Sequence, residues 1–354
     1  MSKPRKLRSQ KAGLPPGSLV HIGEIKTRTP AFSVIDFDEC GLQETQLPDP
    51  AGFARQPRLY ATRWANVYGA HNPADLATIG DVFGLHPLVQ EDILNNAQRQ
   101  KLDAYENYLY LVLHRYELHS GSLDLVQDQI SLIIGRDYVL SFQERPSQTF
   151  EPIRQRLRGE YANLRKGGVD MLAYSLIDTV VDSYFGVIEQ LNDYAEELED
   201  RILGRPTPTA LESIHQLKRC VSQLRRNLQP LREVLGTLHR DAGDFFRSEI
   251  QLYVRDVYDH TIHILESLED LRDLASGLLD MYLSTISHRV NLEVRALTVV
   301  ATIFMPATLI AGIFGMNFRE MPWLANPDGF LYALALIGAI AIIMLVLFWR
   351  RKYV

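Results

Sequence analysis

Residues 296–316 read ALTVVATIFMPATLIAGIFGM and residues 329–349 read GFLYALALIGAIAIIMLVLFW, with no charged side chain in either. As a helix, each stretch would measure about 31 Å, the thickness of a bilayer core. Two charge-free runs of spanning length are rare in soluble domains, so a pair of buried core helices is the poorer reading. Arg289 and Arg295 precede the first run, Trp323 stands in the connector, and Trp349-Arg350-Arg351-Lys352 closes the second. Such residues mark membrane interfaces.

Working outward, the connector 317–328 carries Arg319, Glu320 and Asp328, whereas the tail carries three bases in a row. The positive-inside rule puts the tail in the cytoplasm and the connector outside. Two spans return the chain to its starting side, so the N-terminal part is expected in the cytoplasm too. It begins MSKPRKLRSQK, five bases with no apolar core for export, and no secretory signal is read there. The expectation is a multi-pass protein of the cell's inner (plasma) membrane with both termini cytoplasmic.

The whole chain has 354 residues, is 23% charged and carries a formal net charge of -6. That balance argues against a nucleic-acid partner. Cys40 and Cys220 stand far apart, which argues against a disulfide scaffold or a cysteine zinc site. No G-x-x-x-x-G-K-[ST] loop appears, so no nucleotide is expected to drive the protein. No nucleophile–base or metal motif appears either, so it is not read as an enzyme. His260 and His263 lack an evident third ligand and read as surface or packing residues.

The expected organisation is a basic tail at 1–17, an α/β domain at 18–145 and a helical segment at 146–245. Strands are expected at Val34–Phe37, Tyr108–Leu113, Ile130–Ile134 and Tyr138–Phe142, the last two joined by a Gly135-Arg136-Asp137 turn. Helices should open at Pro73 and at His86-Pro87, the second carrying Glu91 and Asp92. After 147 the pattern turns helical, with breaks at Pro206 and Pro208. Asp182 to Asp200 holds seven acids and no base; it reads first as a solvated face and second as a surface that concentrates cations. A long helix, capped by Asp244 or Ser248, is then expected over 246–316, running into the first span; to residue 314 it would be about 100 Å long. An external loop at 317–328, a second span at 329–349 and a basic tail at 350–354 complete the chain.

Alternating steps of three and four from Asp256 trace one face of that helix. The face runs Asp256, Asp259, His263, Glu266, Asp270, Asp273, Gly277, Asp280, Ser284, Ser287, Asn291, Val294, Thr298, Ala301, Met305, Thr308, Gly312, Gly315. It passes from acids through hydroxyls and an amide to small and apolar residues. Simple solvent exposure explains the acids alone. Their continuity with polar and small positions inside a span suggests a cation path. The neighbouring register, Val254 to Tyr282, is mostly apolar and should pack against protein. One long and one short helix cannot enclose water, so such a path requires a homo-oligomer in the lipid bilayer.

Gly315-Met316-Asn317 follows the first span directly. With LTVVATIFMPATLIAGIFGMNF at 297–318, Met321-Pro322-Trp323-Leu324, the basic tail, HPLVQEDILN at 86–95 and RDVYDHT at 255–261, the chain resembles the CorA-type magnesium and cobalt transporters over essentially its whole length. The resemblance implies a funnel-shaped pentamer with an α+β cytoplasmic domain, long helices and two C-terminal transmembrane helices. It implies a selectivity filter at Gly315, Met316 and Asn317, and pore positions at Asn291, Leu297, Met305, Thr308 and Gly312. Glu91, Asp92, Asp178 and Asp256 match carboxylates that bind regulatory divalent ions between subunits. Val294 stands where relatives can have a larger methionine, and Phe314 where Tyr is commoner. The implied function is influx of Mg²⁺, and of Co²⁺, down the electrochemical gradient, closed by cytoplasmic Mg²⁺. A dication entering would gain about 4.6 kcal/mol from 100 mV. A zinc-transporting relative of the same fold and a membrane-anchored scaffold or signalling protein are the alternatives.

Overall fold

A computed structural model of the chain describes residues 13–119, 122–159, 162–241, 243–316, 323 and 326–351. The described chain divides into two compact units: Met1–Glu197 with Glu212–Ser276, and Leu198–Leu211 with Gly277–Val354.

The first unit is α+β. Its strands are β1 (Ala31–Phe37), β2 (Leu42–Leu47), β3 (Thr62–Tyr68), β4 (Lys101–Ala104), β5 (Tyr108–Leu118), β6 (Leu125–Gly135) and β7 (Tyr138–Gln143). They form one sheet in the order β2-β1-β3-β7-β6-β5-β4. Every pairing is antiparallel except β3 with β7. The β6–β7 hairpin turns at Arg136-Asp137, where the sequence places it. Three strands carry no expectation from sequence, and each has a physical reason. β2 and β4 are edge strands, half exposed and without clean alternation. β3 reads TRWANVY and is buried on both faces, so polar residues interrupt its apolar run. Those polar residues are satisfied in pairs. Arg63 faces Asp36 across the β1–β3 register and closes on it through two bonds of 2.7 and 2.8 Å. Trp64 Nε1 donates to Ser141 Oγ at 2.9 Å, and that hydroxyl donates to Asn66 Oδ1 at 2.7 Å.

Short helices α1 (Gly52–Arg55), α2 (Pro73–Phe83) and α3 (Pro87–Ile93) contribute Phe53, Leu76, Ile79, Val89 and Ile93 to the core against the sheet. Asn72 caps α2 and His86 caps α3, each accepting a backbone N–H, with proline at the first helical position. Trp64 packs edge-on against Phe150, beside α4 (Glu151–Arg158), and Arg154 lies over its indole.

Helix α5 (Ala162–Gly204) is kinked at Gly168, whose φ of 68° needs a glycine. α6 (Pro208–Asp241) begins at the proline expected to break the pattern and holds Pro230 inside it. A 3-10 turn at Gly243–Phe245 precedes α7, Ser248–Phe314, a single helix of 67 residues that holds Pro306 inside it. Its start is tied to α5: Arg247 gives two side-chain bonds, of 2.8 and 2.7 Å, to the Asp170 carboxylate. The apolar register of α7 is buried as read, with Val254, Val257, Thr261, Ile264, Leu268, Leu271 and Ala275 all at 2% exposure or less.

The second unit holds the end of α5, the start of α6, the rest of α7 and α8 (Gly329–Arg350). Three described helices are long and apolar enough to cross a membrane. Burial separates them: 56% of the most apolar window of α5 is buried, against 6% for α7 and none for α8. The most apolar stretch of α5 already has protein to face; those of α7 and α8 have almost none within one chain.

Candidate functional site

In the first unit, α5 presents Tyr174, Asp178 and Asp182 at four-residue spacing, and α7 presents Asp256 and His260 at the same spacing. Residues four apart share a helix face, so the two helices bring both sets together. His260 Nδ1 lies 3.8 Å from Asp182 Oδ1, and its Nε2 lies 3.7 Å from Asp256 Oδ2. One ligand atom each from Asp178, Asp182 and His260 falls within 4.8 Å of the others. Phe185 stands edge-on to both His260 and His263.

Burial and then the charge of Asp182 push the Asp178 carboxyl up to about 6, with Asp256 adding to the rise; a hydrogen bond from Tyr174 and the nearby His260 oppose it. Crowded carboxylates held in this state are relieved by a cation. Two carboxylates and an imidazole form a mixed oxygen–nitrogen donor set, which fits Co²⁺, Ni²⁺ or Zn²⁺ directly and Mg²⁺ through its waters. The residues present therefore fit a divalent ion.

The sequence shows no third ligand near His260 and His263; the structure brings Asp178 and Asp182 beside His260. Its partners lie some 80 positions earlier in the chain, on a different helix, and only the packing of α5 on α7 reveals them. Asp182 belongs to the same group, although in sequence it reads as the first acid of a solvated run. Glu91 and Asp92, on α3, are not part of that group. Glu91 Oε2 accepts the Gly17 N–H at 2.6 Å, and Asp92 Oδ2 lies 2.7 Å from Lys101 Nζ.

In the second unit, the stripe on α7 is exposed along its length. Asp280 and Asn291 are exposed, Val294 is 56% exposed, Leu297 70% and Met305 71%. Met305, Thr308, Gly312 and Met316 share one shallow concavity on the helix surface. The hydroxyls of Thr298 and Thr308 donate to the carbonyls of Val294 and Phe304, at 2.7 and 2.9 Å. Each proton is thereby spent on the helix itself, leaving oxygen lone pairs as the polar feature of the face. Such a surface favours a cation or its waters over an anion.

The helix stops at Phe314, and Gly315 N still donates to the Ala311 carbonyl at 2.9 Å. A Cβ on Gly315 would stand 3.2 Å from that same oxygen, a tight fit. Phe314 stacks on Trp323 with ring planes 10° apart, so the side chain noted for lacking a hydroxyl has an aromatic partner. Asn317 lies outside the described residues.

Residues 61–352 match the family described as CorA-like Mg2+ transporter protein. The chain is 42% identical over 349 residues to the cobalt/magnesium transport protein CorA of Thermotoga maritima, an alignment covering 98% of each. Among solved structures, its fold is similar to the CorA magnesium transporter from Methanocaldococcus jannaschii (TM-score 0.76, 21% identity, 93% of this chain and 100% of that one). It is also similar to the ZntB cytoplasmic domain from Vibrio parahaemolyticus (TM-score 0.57, 13% identity, 73% of this chain and 99% of that one). A match of this length and identity leaves one assignment: the chain belongs to the CorA-like family of Mg²⁺ transporters.

Proposed function

We propose that five copies of the chain form a channel that passes Mg²⁺, and Co²⁺, into the cytoplasm down the electrochemical gradient. Cytoplasmic Mg²⁺ bound between subunits closes it. The observation that carries this reading is the continuity of α7: Asp256 and His260, Asp280, and the exposed face of Met305, Thr308 and Gly312 belong to one unbroken helix. The unburied apolar lengths of α7 and α8 suit two spans of the inner membrane, with the termini in the cytoplasm. The relatives' names support the choice of ion.

In this mechanism Asp280 and the acids before it concentrate cations at the cytoplasmic end. Leu297 and Met305 form apolar rings that exclude hydrated ions when the pore is narrow. At the outer end Gly315, Met316 and Asn317 offer neutral oxygens. Mg²⁺ gives up water reluctantly, so such oxygens hold it through its waters without trapping it. With the regulatory ion bound, Glu91, Asp92, Asp178 and Asp256 share positive charge across subunits; without it they repel, and α7 carries the change to the membrane.

One observation favours a second reading. His260 beside Asp178 and Asp182 supplies a nitrogen ligand that suits zinc better than magnesium. Uptake into proteoliposomes with Mg²⁺, Co²⁺, Ni²⁺ and Zn²⁺ separates the two, with Asn317→Ala as the control. Mg²⁺ and Co²⁺ uptake that Asn317→Ala abolishes supports the channel; Zn²⁺ uptake alone favours the relative. Normal Mg²⁺ uptake by Asn317→Ala at matched protein levels overturns the filter.

A further inference from the structure

A second cavity, of about 620 Å³, lies in the first unit where the segment after α3 meets β5, β6 and α6. It shares none of the carboxylates described above. Among the described residues no Asp or Glu lines it, although the chain as a whole is acidic. Its charge comes from Arg99 and Arg226, both exposed. Among the described residues neither guanidinium has an ion-pair partner, whereas Arg63, Arg145, Arg158 and Arg247 each close on a carboxylate. Burial pushes the His114 imidazole in the wall down to about 4, so it adds no charge at neutral pH.

The wall also has hydrogen-bonding capacity to spare. Gln100 is 3% exposed; its Nε2 donates to the Asn227 carbonyl at 2.8 Å, but its Oε1 has no partner. Pro230 lies inside α6 and lines the same cavity. It has no N–H to offer the carbonyl four residues earlier, so the Arg226 carbonyl lacks its usual helix donor. Spare acceptors beside two unpaired guanidinium groups call for a ligand that is anionic at one end and a hydrogen-bond donor at the other. Guanidinium forks match phosphate geometry, and the volume falls in the range of small-molecule sites.

We propose that this cavity binds a phosphate-bearing metabolite of nucleotide size, its phosphate held by Arg99 and Arg226 and its hydroxyl or amino groups read by Gln98, Gln100 and Asn227. The ligand is bound, not consumed. It would tie the segment that follows Glu91 and Asp92 to α6.

The test is equilibrium dialysis of labelled AMP against the full chain purified in detergent, at fixed free Mg²⁺. AMP is the probe because a single phosphate holds Mg²⁺ weakly. Saturable binding is expected, weakened about tenfold or more by Arg99→Gln or Arg226→Gln, the scale of one charge-assisted hydrogen bond. Arg225→Gln, which removes a neighbouring arginine paired with Glu269 outside the cavity, should leave binding unchanged. No saturable binding overturns the proposal, as does binding that both cavity variants retain in full. Displacement of AMP by equal concentrations of inorganic phosphate or sulfate also overturns it, because the cavity would then be a simple anion site.

Discussion

His260 Nε2 lies 3.7 Å from the Asp256 carboxylate, one turn earlier on α7. The pair places the one nitrogen ligand of the group beside a carboxylate that the family resemblance assigns to metal. His260→Ala should raise the Co²⁺ concentration that protects the full chain from protease by about tenfold, the scale on which metal sites lose affinity when a supporting group goes. The Mg²⁺ requirement should move much less, because Mg²⁺ takes oxygen ligands. Equal shifts for both ions would remove His260 from the coordination sphere.

Asp256→Lys places a permanent positive charge where a divalent ion would lie. The variant should resist protease in EDTA as the parent does in Mg²⁺, with low uptake in both conditions. Protease sensitivity equal to the parent's, with and without Mg²⁺, would count decisively against the sensor.

The Asp178 carboxyl, raised to about 6 from 3.8, sets a pH window. Without metal the folded chain holds this proton more tightly than the unfolded chain does. The resulting stability is present below 3.8 and is lost as pH rises through about 6. With Mg²⁺ the sense reverses, because the ion competes with the proton and binds best above that range. Thermal melts from pH 4.5 to 8, with and without Mg²⁺, should show the ion's stabilising effect growing with pH. Asp178→Asn should flatten its part of both trends.

Leu297 is 70% exposed on the α7 stripe. If an apolar ring there keeps the closed path dry, Leu297→Asn should raise uptake at high internal Mg²⁺, where the parent is shut. Fluorescent-dye flux in liposomes loaded with Mg²⁺ reads this directly. Unchanged closure would move the barrier to Met305 or beyond.

Asp36→Asn tests the α/β domain alone. Asp36 and Arg63 are 2% and 8% exposed, and removing the carboxylate leaves a buried guanidinium uncompensated. A loss of about 3–5 kcal/mol is expected, read as a lower denaturation midpoint. A change below about 1 kcal/mol would mean that water or another acceptor replaces Asp36.

The long helix was legible because its buried register repeats through Val254, Val257, Thr261, Ile264 and Leu268 without a break. The hairpin was legible because Gly135-Arg136-Asp137 separates two apolar runs. β3 was not, since Arg63 and Asn66 look like surface residues until Asp36 and Ser141 arrive from other strands. The same limit hid the group at Asp178. Spacing within α5 shows that Asp178 and Asp182 share a face, and spacing within α7 shows the same of Asp256 and His260. Only tertiary packing makes the two faces one.

Because α7 runs from Ser248 to Phe314 as one helix, the proposed coupling would depend on helical phase. One residue inserted between Gly277 and Ser284 would turn Met305, Thr308 and Gly312 about 100° around the axis relative to Asp256. Seven inserted residues would return them to within about 20°. The helix should therefore tolerate changes of length by whole heptads far better than by single residues, even where every inserted side chain is a good helix former. Under the proposed mechanism, the number of residues between Asp256 and Met305 carries information that their identities do not.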